Sequence, residues 1–357
     1  MDKVVNLFIQ LVKIDSPSGF EQGMICFIQN WLKQHKLKYK TDSLGNILAT
    51  NNGFGKPTLF CVHMDTVEPG KGIKPIIKNG VIRSSGNTVL GADNKAAVAC
   101  LMAAVEQYLK TEKNPRAFEL LFTVKEETGG GINYFPFNWI KSKQAFVFDS
   151  AKPLGGIILR SPNIINFHVE FIGKAAHSST PEKGKNALTA MVHAMHELKM
   201  GKLDKGKTTI NIGLIKGGNA INTVAERVNI YGEIRSYQKK LFNKHLKIIK
   251  TIFSNAAMKT GLKFSFKTNG YCPGYIHYQK SNLLKKIIKI LLNLDLRHNF
   301  HYYSGISDAN ILSSKGIETI NLCDGVVNPH TVNESVTIDN LTKLTSIIKH
   351  FCYDINQ

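Results

Sequence analysis

Three short runs constrain the fold most. Residues 58–62, 118–124 and 145–148 are almost uninterrupted apolar stretches, and each is followed closely by a residue that can hold a metal. Strands that lack polar alternation are covered on both faces, and the helical segments between them supply the cover. Val4, Leu7, Phe8, Leu11 and Val12 recur at helical spacing over 3–14, and a second helix is expected over 21–35. Ala96, Ala97, Cys100, Leu101, Ala104 and Val105 give residues 93–110 an apolar face of small side chains. Further strands are expected over 46–49 and 319–323, with helices over 281–292, 310–315 and 338–353. Helices alternating with short apolar strands predict a layered α/β sheet.

The pattern changes near residue 163. Residues 165–172 alternate like a half-exposed strand, and a helix carrying Leu188, Met191, Val192, Met195 and Leu198 follows. Strands over 208–215 and 225–234, a long amphipathic helix over 239–260 and a strand over 263–267 come next. Strand, helix, strand, strand, helix, strand is the order of a ferredoxin-like sandwich. The α/β style returns after Cys272-Pro273-Gly274. Residues 164–274 are therefore expected as an insertion into a domain formed by 1–163 and 275–357.

At 357 residues and 43% hydrophobic content, two domains are the default expectation. Asp2, Lys3, Asn6 and Gln10 interrupt the apolar start of the chain, so no secretory signal is expected. No uncharged run reaches the roughly eighteen residues of a membrane span. A soluble, cytoplasmic protein with no membrane partner is the expectation, and the six scattered cysteines fit free thiols in a reducing compartment. The net charge of +20 raises nucleic acid as a partner. Yet the arginines are only Arg83, Arg116, Arg160, Arg227, Arg235 and Arg297, whereas phosphate and base readout favours the guanidinium fork. The lysines are spread along the chain, which predicts a solvated surface and no nucleic-acid partner. Steering of anionic substrates stands beside that reading.

His63, Asp93, Glu127, Asp149 and His330 each stand where a predicted strand runs out or a helix begins. His63 and Asp65 lie two apart at a strand end, so both face one side of the sheet. Asp93 opens a helix, where an N-cap is the alternative reading. Glu126 and Glu127 are adjacent and diverge, so one can bind metal while the other faces a water to be activated. Singly, each residue has a structural reading. Jointly, five oxygen and nitrogen ligands at the carboxyl ends of strands mark the edge where open α/β sheets bind ligands, and the set suits a two-metal hydrolytic centre.

Leu59-Phe60-Cys61-Val62-His63-Met64-Asp65-Thr66-Val67, Gly91-Ala92-Asp93-Asn94-Lys95, Glu126-Glu127-Thr128-Gly129, Asp149-Ser150 and Pro329-His330-Thr331 carry a resemblance over almost the whole chain. The series resembles that of the dinuclear zinc exopeptidases, which include tripeptide aminopeptidase (peptidase T), carboxypeptidase G, succinyl-diaminopimelate desuccinylase and aminoacylase. The resemblance implies a zinc-exopeptidase-like α/β/α catalytic domain with an inserted ferredoxin-like α+β lid domain. It implies two zinc ions bridged by Asp93, with His63 and Asp149 completing one and Glu127 and His330 the other. Cobalt or manganese would suit the same ligands. Glu126 would be the general base and Asp65 would orient a metal-site group. The peptide bond between Asp93 and Asn94 is expected to be cis.

Within the insertion, the segment from Gly173 to Ser179 looks like the lid loop whose histidine, here His177, reaches the scissile carbonyl, often from a partner subunit. A homodimer through the inserted domain follows from that likeness. Asn222 and Arg235 resemble residues that hold a substrate carboxylate. For Arg235 the alternative is pairing with Glu226 or Glu233. The loop Ser304-Gly305-Ile306-Ser307-Asp308-Ala309-Asn310 resembles one that lies beside the substrate of tripeptide aminopeptidases, which singles out Gly305 and Ser307; Ile306 departs from the usual second glycine. The expected activity is removal of the amino-terminal residue from short peptides. Deacylation of N-acyl amino acids and a non-catalytic binding protein are the alternatives.

Overall fold

A computed structural model describes residues 2–279 and 281–354. The chain forms two compact units, one built from the segment up to Arg160 together with that from His277 onward, the other from Ser161–Ile276.

The first unit is organised by a mixed sheet. From one edge its strands run Lys38–Thr41, Ile47–Thr50, Arg116–Thr123, Phe54–His63, Gln144–Phe148, Glu318–Leu322 and Gly156–Ser161. Phe54–His63 pairs in parallel with both Arg116–Thr123 and Gln144–Phe148, and Gln144–Phe148 pairs in parallel with Glu318–Leu322. The register sets His63 opposite Thr123 and Phe148 opposite Leu322, so four strands end together along one edge.

The helix Ala92–Thr111 has more cover than a one-sided apolar face requires. It is buried nearly all round, because Lys3–Val12 and Ile338–Asp354 pack against it in addition to the sheet. Its run of alanines permits that close approach: Ala96, Ala97, Ala99 and Ala104 are fully buried. On the sheet, Phe146 packs its ring 5.9 Å from Phe60 and 4.6 Å from Phe351. The hairpin Pro75–Lys78 and Val81–Ser84, extended by Ser335–Thr337 into a small sheet, was not among the expected elements. Its strands are four residues long and largely exposed, and their apolar residues come as adjacent pairs, Ile76-Ile77 and Val81-Ile82, rather than in alternation. Its turn does carry a signal: Asn79 and Gly80 have φ of 50° and 74°, the two-residue hairpin geometry that the Asn-Gly pair favours.

The second unit is an antiparallel sheet in the order Gly201–Leu203, Thr208–Gly217, Arg227–Ser236, Asn163–Ile172, Lys263–Cys272. Leaving aside the short first strand, this is the ferredoxin-like order. Phe167, Val169, Phe171, Val228, Ile230 and Ile234 face Phe242, Ile249 and Phe253 of the helix Lys239–Thr260 and the alanines of Ala187–Glu197. Gly261, at φ 62°, ends the longer helix as a left-handed cap. Among the described residues, no helix is long and apolar enough to cross a membrane.

Truncating Phe146 to Ala should leave a cavity between strand and helix layers and cost about 3–5 kcal/mol. Denaturant unfolding at fixed metal concentration measures this, and a loss near zero would contradict the packing described.

Candidate metal centre

His63 is the last residue of Phe54–His63, Asp149 follows Gln144–Phe148, and Glu126 and Glu127 lie three and four residues beyond Arg116–Thr123. The shared strand edge thus gathers side chains from distant parts of the sequence. Asp93 lies at the start of Ala92–Thr111 with non-helical φ −81° and ψ 101°, and the bond from Asp93 to Asn94 is cis. The cap position of this helix is taken by Gly91, at φ 70°, rather than by Asp93.

One ligand atom from each of His63, Asp93 and Asp149 lies within 4.8 Å of the others, and the same holds for Asp93, Glu127 and His330. Asp93 belongs to both groups. Its Oδ1 is 3.3 Å from His63 Nε2, and its Oδ2 is 3.5 Å from His330 Nε2. His330 Nε2 is also 3.0 Å from Glu127 Oε1. Each oxygen of one carboxylate therefore addresses a different imidazole. Imidazole and carboxylate donors in this arrangement fit divalent zinc, cobalt or manganese.

Asp65 is fully buried and organises three neighbours. The Glu126 and Glu127 N–H groups donate to its two oxygens at 2.9 and 3.1 Å, and Ser18 Oγ donates at 2.6 Å. The Asp65 carboxylate also stands 3.3 Å from His63 Nδ1. It thus fixes both the ring and the two-glutamate turn, as outer partners of metal ligands do. Lys125, at φ 55°, makes that turn possible.

Other supporting residues escaped the sequence reading. Glu334, 1% exposed, accepts the N–H groups of Gly91 and Asp93 at 2.7 and 2.8 Å. Asn321 brackets Asp149, accepting its N–H at 3.1 Å and donating to its carbonyl at 2.9 Å. Asp308, buried, accepts from Thr123 Oγ1 at 2.5 Å. The available signals are a polar residue inside the apolar run 319–323, and an acid four residues after His330. Lys95 is also buried, with Nζ donating to the Ile14 carbonyl at 2.7 Å.

The loop expected beside a substrate is shaped by its own bonds. A Cβ on Gly305 would stand 3.0 Å from the Tyr303 ring. Ser307 is buried, completes a capping box with Asn310, and its Oγ accepts from Asn321 Nδ2 at 3.1 Å. His177, Asn222 and Arg235 belong to the second unit. The lid loop pairs His177 with Thr223 across a bridge, and the Ser178 N–H donates to the Asn222 carbonyl. Ser179 N–H donates to His177 Nδ1 at 3.2 Å, which leaves the proton of a neutral ring on Nε2. Arg235 makes a forked pair with Glu233 at 2.5 and 2.8 Å, one of the two partners weighed for it.

The centre is crowded with acids. Desolvation pushes Glu126 and Asp149 well above the usual carboxylate range, with Asp149 adding to the rise of Glu126 and Asp93 to that of Asp149. Burial raises Asp324 to about 8, with Asp93 contributing, and Asp308 to about 6. Burial also acts on Asp93, but hydrogen bonds from His330 and His63 outweigh it and hold its carboxyl well below the ordinary value. Bonds to Asp93 and then Glu127 raise His330 to about 10, and His63 is raised against its burial by Asp65 and Asp93. Such a cluster of confined negative charge calls for cations.

His330, raised to about 10, therefore holds a proton at neutral pH in the cation-free chain, His63 is shifted in the same direction, and metal ligation requires neutral imidazoles. Loading with zinc at pH 7 should release at least one proton, and affinity should climb with pH until His330 titrates near 10. Calorimetry in buffers of different ionisation enthalpy counts the protons; none released would contradict the ligand assignment.

Residues 159–261 match the M20-type model described as a peptidase dimerisation domain. The chain is 29% identical to the uncharacterized protein YqjE of Bacillus subtilis (strain 168), over 97% of this chain and 96% of that one. Its structure matches the crystal structure of aminopeptidase PepT from Bacillus cereus ATCC 10987 with a TM-score of 0.93 and 29% identity, covering 99% and 98% of the two chains. A tripeptidase from Staphylococcus aureus subsp. aureus Mu50 matches with a TM-score of 0.92 and 29% identity, covering 98% of each.

Proposed function

We propose that this chain, a member of the M20 peptidase family, is a two-zinc aminopeptidase that removes the amino-terminal residue from short peptides such as tripeptides. The observation that carries the reading is Asp93, whose two oxygens address two separate imidazole and carboxylate groups. In this reading His63 and Asp149 would hold one cation, Glu127 and His330 the other, and Asp93 would serve both. When bound, the pair supplies Lewis acidity for the scissile carbonyl and acidifies a water.

Glu126 takes the proton from the attacking water and returns it to the leaving amine. Asp65 keeps it in place through the Glu126 N–H. His177 offers its Nε2–H to the substrate carbonyl oxygen, since Nδ1 is occupied by Ser179. Asn222 and Arg235 receive the substrate carboxylate, Glu233 holding the guanidinium in a fixed plane. Gly305 and Ser307 shape the loop beside the peptide. The resemblance to an aminopeptidase and a tripeptidase along nearly the full chain supports short peptides as substrates.

A homodimer through the second unit belongs to the same proposal. The match to a dimerisation domain supports it. So does the strand Thr208–Gly217, which is covered by Gly201–Leu203 only as far as Ile210 and then presents exposed Leu214 and Ile215. A cytoplasmic location is consistent with the free thiols, of which only Cys26 is exposed among the six.

Zinc-loaded protein should release the first residue from unblocked tripeptides and leave their acetylated forms intact; the reverse preference would establish a deacylase. Glu126→Gln should lower turnover roughly 10²–10⁴-fold with zinc content retained. Full activity in metal-stripped protein would end the proposal. Ile215→Lys, by charging the strand edge, should shift the dimer toward monomer in light scattering; an unchanged mass would place the interface elsewhere.

A further inference from the structure

Most hydrogen-bond donors beside the carboxylate cluster of the first unit are already committed. Ser18 Oγ donates to Asp65, Thr123 Oγ1 to Asp308, and Lys95 Nζ to the Ile14 carbonyl. Ser307 is absorbed by its capping box and by Asn321. The side chains that crowd the centre, Asp93, Glu126, Glu127 and Asp149, are acceptors when ionised. Asn94 Nδ2 and Ser150 Oγ, beside Asp93 and Asp149, are unbonded but fully enclosed. Tyr303 differs in being only half-buried, and among the described residues its hydroxyl has no hydrogen-bond partner.

Two features place this half-buried side chain. Its N–H donates to the Arg160 carbonyl at 2.8 Å. Its ring lies against Gly305, where a Cβ would stand 3.0 Å from Cε1 and Cζ and 3.2 Å from Oη. A glycine at 305 thus lets the phenol sit against the loop that the reading above sets beside the substrate. The loop itself is tied to the strand edge that carries the centre, since Asn321 Nδ2 donates both to Ser307 Oγ and to the Asp149 carbonyl, and Thr123 Oγ1 donates to Asp308. Burial, followed by the carboxylates of Asp149, Asp93 and Glu126, raises the phenol's pKa in keeping with that place.

We propose that Tyr303 is a catalytic hydrogen-bond donor of this centre, bonding the oxygen of the scissile carbonyl as that oxygen takes up negative charge. The assignment rests on the hydrolase reading. Water adds to the carbonyl carbon and the π pair moves to oxygen, where the Tyr303 O–H donates a hydrogen bond without surrendering its proton. When the C–N bond breaks, the pair returns to reform the carbonyl, and the leaving nitrogen receives the proton carried by Glu126. A donor fixed before reaction stabilises this charge without reorganisation. His177 supplies a comparable group from the inserted unit, whereas Tyr303 belongs to the unit that carries the metal-binding side chains.

The test is Tyr303→Phe in the zinc-loaded, full-length protein, assayed on whichever of an unblocked tripeptide and its acetylated form the unaltered protein hydrolyses. The expected result is a kcat lower by roughly 10²–10³-fold, with KM, zinc content and melting temperature little changed. A phosphinic pseudopeptide, whose P–O⁻ mimics the charged oxygen, should lose affinity in parallel, while the product amino acid should bind as before. An unaltered kcat, or a loss shared equally by KM and product binding, would overturn the assignment and leave the hydrolase reading standing. Hydrolysis of neither substrate by the unaltered protein would overturn both.

Discussion

Both oxygens of Asp93 are spoken for by imidazoles, one by His63 and the other by His330. The aspartate can serve both because its backbone is not helical, although it lies at the head of a helix. Glu334 holds it there by accepting the N–H groups of Gly91 and Asp93. Since Glu334 sits four residues from His330, one buried carboxylate ties Asp93 to the loop that carries His330. Asp65 plays the matching part on the opposite side, gripping the backbone of Glu126 and Glu127 while it steadies His63.

This economy has an electrostatic cost. Asp93, Glu126, Asp149, Asp308 and Asp324 are each shifted by burial and by charged neighbours in the cluster, and hydrogen bonds to the carboxylates around them raise His63 and His330. The fold holds such a cluster because the parallel strands end together, with rigid packing beneath them. Phe60, Phe146 and Phe351 fill the space between the sheet and the closing helix, so the ligands stand on strand ends anchored by a dense core.

The layers, and the side chains that gather around Asp93, are legible in the sequence because each rests on a local pattern. Apolar runs predict buried strands, helical spacing predicts their cover, and His63, Asp93, Glu127, Asp149 and His330 stand at the junctions. Glu334, Asn321 and Ser18 are not legible in this way. Each acts on a segment far away in sequence, two of them through backbone groups, and no periodicity encodes that. Arg235 shows a related limit: its type marks it as unusual in a lysine-rich chain, but Glu233 claims it from two residues away. The strands of the Asn79-Gly80 hairpin carry their apolar residues as adjacent pairs, Ile76-Ile77 and Val81-Ile82, with no alternation, so its turn is the clearer local cue.

The placement of the insertion sets an order of assembly. His63, Asp93 and Asp149 all precede it in the chain, as does Glu127, whereas His330, Glu334 and the strand Glu318–Leu322 that flanks Gln144–Phe148 come after it. On the ribosome, the ferredoxin-like unit is therefore complete while the surrounding sheet still lacks an inner neighbour. His63, Asp93 and Asp149 have emerged by then, but His330 and Glu334 have not, so the group of side chains around Asp93 is closed only by the segment that follows the insertion.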